Sequence, residues 1–152
     1  MSKPKVLFLC TGNTARSQMA EAFLRAYAGE HFDVYGAGLK PQEINSLTTR
    51  VMAERGFDLA GQRAKGLDEF LGQVHFGYLV TECQRAQEEY PVFPFVHSRL
   101  SLPFEDPAKA EGSEEVRLDA FRRVRDEIDE RIRHWVQDEL HLPIQVTSEP
   151  TS

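Results

Sequence analysis

The stretch Lys5-Val6-Leu7-Phe8-Leu9-Cys10-Thr11-Gly12-Asn13-Thr14-Ala15-Arg16-Ser17 holds a strand, a turn and a helix start in succession. Residues 5–10 form an apolar run with no polar alternation, the pattern of a buried parallel strand. Residues 11–16 break it with turn formers. From Ser17 onward Met19, Ala20, Phe23, Leu24 and Tyr27 recur at helical spacing and make one apolar stripe. Ser17 is the expected N-cap and Gly29 the expected stop.

Working outward, residues 32–37 read as a second strand and 46–55 as a helix with Leu47, Val51 and Met52 on one face. Residues 61–65 are a polar, basic loop. A third strand is expected over 76–81 and a short helix over 82–89, then a loop with two prolines over 90–95. A weaker fourth strand spans 96–102. Ser113 can cap the last helix, with Glu114 and Glu115 in its first turn, where negative charge is favoured. Its buried stripe is Leu118, Phe121, Val124, Ile128, Ile132, Trp135 and Val136. Strands alternating with helices imply βαβ units and a parallel sheet with helices on both faces. Ligands bind such sheets at the carboxyl ends of the strands. Cys10, Cys83 and Asp106 each follow a strand, so they fall on one edge.

The chain has 152 residues, one domain's worth. We expect one domain over 1–142 and a polar tail over 143–152. With 18 basic and 24 acidic residues the net charge is −6, which argues against a nucleic-acid binder. No apolar run approaches the roughly 18 residues of a membrane span. Residues 6–10 are shorter than the roughly 7–15 residues of a secretory core. Two cysteines cannot form a disulfide framework, and no His/Cys cluster has zinc spacing. His31, His75, His97, His134 and His141 are scattered. The expectation is a cytoplasmic monomer with no metal, no nucleic acid and no membrane.

Between strand and helix, Thr11, Gly12, Asn13, Thr14, Ala15, Arg16 and Ser17 make an oxyanion seat. A loop entering a helix aims backbone N–H groups at one point, and the helix dipole adds positive potential. Gly12 and Asn13 tolerate left-handed backbone. Arg16 can grip two oxygens of a tetrahedral oxyanion. Cys10 then lies beneath that oxyanion as a nucleophile, with Ser17 able to donate to its sulfur. The dipoles and Arg16 are expected to depress the Cys10 pKa. The Cys-x5-Arg spacing alone also describes a buried cysteine beside an ordinary turn. Asp106 before Pro107 can be a surface turn or a proton donor, and Cys83 a small buried side chain or a second thiol.

Val6 to Leu24, VLFLCTGNTARSQMAEAFL, resembles the signature of thiol-dependent arsenate reductases of the low-molecular-weight phosphotyrosine phosphatase fold. The similarity continues through Gly36-Ala37-Gly38, Gly61-Gln62-Arg63, Val80-Thr81-Glu82-Cys83, Phe104-Glu105-Asp106-Pro107-Ala108 and Phe121 to Ile128. The resemblance implies a single-domain α/β three-layer sandwich, its four-stranded parallel sheet flanked by helices and its first strand beside the third. It implies catalysis by Cys10, Arg16 and Asp106, with Asp106 as general acid. Cys83, or an external thiol, would release arsenite by attacking the Cys10 sulfur. No bound cofactor is implied. An external reductant is: thioredoxin, or a low-molecular-weight thiol with a glutaredoxin or mycoredoxin.

The chain departs from the family twice. Many relatives carry a third cysteine seven residues after the second, where this chain has Tyr90 before Pro91. Some hold a potassium ion beside the loop, and this chain keeps Asn13 and Glu21 but has Gly36, Arg63 and Lys65 where oxygen ligands are expected. Lys65 is the candidate for a built-in charge in place of the ion. Two other readings stand beside arsenate reduction. One is a low-molecular-weight protein tyrosine phosphatase acting through a phosphocysteine, though Ala108, Lys109 and Ala110 give it no aromatic wall. The other is a non-catalytic oxyanion or redox-sensing module, which would need neither nucleophile nor acid.

Overall fold

In the computed structural model, which describes residues 3–70, 72–83 and 96–144, the first apolar run is strand β1 (Lys5–Cys10). It is buried from Val6 to Cys10 because it is central. β2 (Asp33–Gly38) lies parallel on one side and β3 (Tyr78–Thr81) parallel on the other, and β4 (Ser98–Ser101) pairs parallel with β3. The order is β2-β1-β3-β4, so the first strand does neighbour the third. β3 and β4 are shorter than the apolar runs that contain them. Phe76 stays outside the ladder and is buried by packing against Tyr35 and Phe70.

One face of the sheet carries Val6, Phe8 and Val80 and packs under three helices. These are α1 (Arg16–Ala28), α2 (Ser46–Glu54) and α3 (Glu114–His134). α1 supplies Met19, Ala20, Phe23, Leu24 and Tyr27, and α3 supplies Leu118, Phe121, Val124, Ile128 and Ile132, the stripes expected from spacing. Ser113 caps α3 by accepting from the Val116 N–H. Asn45 caps α2 in the same way. The other sheet face carries Leu7, Leu9 and Leu79 and is covered by Leu67, Phe70 and Phe76 from the segment between α2 and β3. Among the described residues that cover contains only a short 3₁₀ turn, Leu67–Glu69, and no α-helix. The helix expected over 82–89 lies outside the described residues except for its first two, as do Tyr90, Pro91 and the end of the expected tail. Among the described residues no helix is long and apolar enough to cross a membrane.

α1 begins at Arg16 with Ala15 at the cap position and no side-chain cap. Ser17 is therefore a helical residue and not the N-cap that its residue type suggested. Its hydroxyl is committed elsewhere, as the site shows.

Candidate active site

The loop from β1 to α1 is held open from outside. The carbonyls of Cys10 and Thr11 accept from the N–H groups of Leu39 and Lys40, and those of Gly12 and Thr14 from the N–H groups of Gln42 and Asn45. The Asn13 carbonyl accepts from the Gln18 amide at 3.0 Å. A trans peptide sets its N–H opposite its C=O. Carbonyls tied outward at residues 10–14 therefore turn the following N–H groups inward, toward one centre. That is an anion seat built by covalent geometry, at the positive end of α1.

Asn13 takes the left-handed conformation, φ +56°, fully buried. Its carboxamide oxygen accepts from the Lys65 backbone N–H and from Gln18, both at 2.9 Å. Its amide donates to Ser17 Oγ at 2.6 Å. The Ser17 hydroxyl, receiving that bond, is free to give its own hydrogen to Cys10 Sγ, 2.9 Å away. Cys10 Sγ also accepts from the Asn13 N–H at 3.3 Å. Gly12, by contrast, is not left-handed. A β-carbon there would meet Thr14 Cγ2 at 3.1 Å, so crowding rather than backbone sign favours glycine.

Gly38 at the end of β2 is tighter still. A β-carbon there would lie 2.7 Å from Gly12 C and 2.8 Å from Asn13 N, both backbone atoms that cannot swing away. Gly38→Ala is expected to cost about 1–3 kcal/mol by overpacking and to weaken oxyanion binding by displacing the loop. Thermal melts and phosphate titration check this. An unchanged melting temperature would count against the contact.

Arg16 is buried and spans the seat. Its Nη1 donates to the Phe104 carbonyl at 3.1 Å, and its Nη2 lies 3.7 Å from Asp106 Oδ2. Asp106 does form an Asp-Pro turn: its Oδ1 accepts from the Ala108 N–H and caps the short 3₁₀ turn Pro107–Lys109. Its other oxygen nevertheless faces the seat. Cys83, just past β3, has its sulfur 3.3 Å from Thr11 Oγ1. Cys10, Thr11, Gly12, Thr14, Arg16 and Asp106 line a cavity of about 310 Å³. An adjoining cavity of about 720 Å³ is shared by Thr11, Arg16, Cys83, Phe104, Asp106 and Lys109. The structure thus brings the loop, the arginine, the acid and the second thiol to one sheet edge. Tyr90 lies outside the described residues.

The expected depression of the Cys10 pKa is overturned. Burial, and then the neighbouring Glu82 carboxyl, push the thiol up, and the pull of Ser17 and Arg16 does not offset them. Glu82 is a site residue that pattern reading assigned only to a helix start. The available signal was a carboxylate directly after the apolar run, on the alternation that places it with Val80.

Beneath the loop, the buried Glu21 carboxylate accepts from Arg25 at 2.7 Å, and its Oε1 lies 3.6 Å from Lys65 Nζ. Burial draws the Lys65 pKa down and Glu21 draws it up, with the balance downward. The arrangement does not fit a potassium ion. Gly36 offers no side-chain oxygen, and a β-carbon on it would stand 2.5 Å from Glu21 Oε1. An ammonium group already faces that carboxylate. Among the described residues no group of three His, Cys, Asp or Glu side chains could hold a metal.

With a Cys-x5-Arg seat at a strand-to-helix turn and an aspartate above it, the chain belongs to the low-molecular-weight phosphotyrosine protein phosphatase family, whose model matches residues 5–145. Within that family it is similar to arsenate reductases. It is 41% identical to the arsenate reductase of Halalkalibacterium halodurans over 90% of this chain and 98% of that one. A solved arsenate reductase in the phosphate-binding state superposes with a TM-score of 0.73 at 26% identity, over 86% of this chain and 95% of that one. A thioredoxin-dependent arsenate reductase of Corynebacterium glutamicum superposes with a TM-score of 0.68 at 31% identity. That match covers 91% of this chain and 63% of the longer one.

Proposed function

We propose that the protein reduces arsenate to arsenite with Cys10 as nucleophile. The observation that carries this reading is the second thiol: Cys83 shares the cavity wall with Arg16 and Asp106. Hydrolysis of a phosphate ester has no use for it. A dianionic oxyanion entering the seat takes the Cys10 proton, so that the thiolate is made in place. The sulfur attacks arsenic, the inward N–H groups and Arg16 stabilise the charge of the five-coordinate state, and Asp106 gives a proton to the departing oxygen, which leaves as water. A second thiolate then attacks Cys10 Sγ. The S–S bond forms, the S–As bond breaks, and its electron pair goes to arsenic, which falls from the +5 to the +3 state. Cys83 is the resolving thiol in our reading, and thioredoxin or a low-molecular-weight thiol with its redoxin returns the disulfide to two thiols. This chemistry needs a reducing compartment, and we place the protein, as a monomer, in the cytoplasm. The relatives named arsenate reductase support the substrate, and the thioredoxin-dependent relative supports the reductant.

The test is arsenate-dependent NADPH oxidation with thioredoxin and its reductase, and separately with glutathione/glutaredoxin and mycothiol/mycoredoxin. Aryl phosphate hydrolysis is measured on the same sample. Arsenite formed with any of these systems supports the reductase and names its donor. Phosphate release without arsenite would move the protein to the phosphatase reading, which the family itself keeps as the second choice. Against that reading, Lys109 and Ala110 follow the acid on the cavity wall and present no ring.

We also propose that the Lys65 ammonium replaces a monovalent cation beside Glu21. Turnover is then expected to be equal in potassium and sodium salts at constant ionic strength. A strong preference for potassium would sink the idea.

A further inference from the structure

Glu82 follows β3 directly. Its N–H donates to the Leu9 carbonyl at 3.0 Å, and its carbonyl accepts from the Phe104 N–H at 3.2 Å, so its backbone is fixed beside the end of β1. Side chains alternate along strands. Continuing that alternation past β3, Glu82 falls on the face of Val80, and Cys10 falls on the face of Phe8. Val80 and Phe8 belong to the same apolar cluster under α1. The carboxyl is thus on the nucleophile's side of the sheet, on the neighbouring strand and at its level. Glu82 is 0% exposed, and neither carboxyl oxygen has a hydrogen-bond partner among the described residues.

A buried carboxyl without partners is costly, and ionising it costs far more. Packing alone would favour leucine or methionine at this position, so the acid has to be explained by its charge chemistry. Among the described residues, the charged group that acts on it from α1 is Arg16, whose own ion-pair partner is Asp106, 3.7 Å away on the loop after β4. From β1 it is the Cys10 thiol, and the next residue is Cys83. The side chains that α3 sends into this cluster, Leu118, Phe121, Val124, Ile128 and Ile132, are all apolar.

We propose that Glu82 is a positioning residue that gates Cys10: as the neutral acid it leaves the thiolate to Arg16 and the loop amides, and as the carboxylate its negative charge keeps the proton on sulfur. The inference rests on Cys10 being the nucleophile. Burial pushes Glu82 up to about 8, against the pull of Arg16, so its gate lies just above neutrality. Below that pH, ionising Cys10 leaves the S–H electron pair on sulfur and sends the proton to the arriving oxyanion. Above it, Glu82 loses its proton first. A second negative charge in the same unsolvated space then opposes the thiolate.

The experiment is alkylation of Cys10 by iodoacetamide between pH 5.5 and 9.5, in Cys83→Ser protein with and without Glu82→Gln. No arsenate is present, so the outcome is independent of whether arsenate is the substrate. The two rates are expected to agree within about twofold below pH 6.5, and Glu82→Gln to react about tenfold faster at pH 9. Glu82→Leu, which fills the same space without a titrating group, should repeat that divergence and serves if the glutamine variant folds poorly. A rate ratio that stays constant across the range would overturn the proposal. Thermal unfolding supplies the control. Glu82 has a raised folded-state pKa, so its contribution to stability is full below the unfolded carboxyl pKa and is lost as pH rises through about 8. The melting temperature of Glu82→Gln relative to its parent should therefore climb from pH 5 to pH 9. A climb with a flat alkylation ratio would show a titrating Glu82 that does not govern Cys10, and would also overturn the gate.

Discussion

Cys10→Ser is expected to lower both arsenate reduction and aryl phosphate hydrolysis by about 10⁴-fold or more, to background. The reason is chemical rather than architectural. A serine hydroxyl holds its proton far more tightly than a thiol, so an entering oxyanion basic enough to deprotonate Cys10 is not basic enough to deprotonate a serine, even with Ser17 and the Asn13 N–H both donating toward this atom. Those same donors would hold a serine oxygen in the sulfur's place, so the fold should survive. The seat is built from carbonyls pinned at residues 10–14 and does not depend on the sulfur. Phosphate binding followed by calorimetry should therefore remain within a few-fold of the parent while both activities vanish. Residual turnover above about a hundredth of the parent would remove Cys10 from the nucleophile's role.

Cys83→Ser should separate the two chemistries. Thioredoxin-coupled arsenate reduction is expected to fall at least about 100-fold, while aryl phosphate hydrolysis stays within about twofold. The serine hydroxyl can keep the contact with Thr11 Oγ1, so the loop is not disturbed. What is lost is the nucleophile that attacks Cys10 Sγ. Measuring both activities on one preparation guards against misfolding, because a general defect would lower them together. If reduction survives Cys83→Ser unchanged, a small external thiol does the resolving and Cys83 is a packing residue.

Much of this was legible in local pattern. β1, the loop and α1 are contiguous, and a buried strand, a turn and an apolar stripe are each encoded within a few residues. α3 declares itself through Ser113, its two first-turn glutamates and an apolar stripe whose seven positions, Leu118, Phe121, Val124, Ile128, Ile132, Trp135 and Val136, are all buried, the last two just past the helix end. Pattern placed Cys83 and Asp106 past strand ends, but their roles came from the family resemblance, and what each touches depends on strand order, which β3 beside β1 supplies. The misreadings have physical causes. Ser17 has the composition of a cap, yet the Asn13 amide claims its hydroxyl from one side and Cys10 takes it on the other. Gly12 and Asn13 were both read as tolerating left-handed backbone, and only Asn13 takes it up. The thiol was expected to be acidic because dipoles and Arg16 were counted, while burial and Glu82 become visible only once the sheet is assembled. The pairing of Lys65 with Glu21 spans 44 residues and no local pattern announces it.

The outward-pinned carbonyls have a consequence for discrimination. A seat whose dipoles are fixed before the ligand arrives is selective for shape and charge, and phosphate and arsenate are tetrahedral anions of closely similar size and basicity. Such a site cannot sort them at the door. The choice has to be made later, by redox chemistry: only arsenic, once bonded to sulfur, accepts the electron pair that a second thiol releases. Phosphate is then a tolerated visitor that occupies the seat and departs, and the cell's ratio of phosphate to arsenate, rather than the protein's affinity, sets how often the chemistry begins.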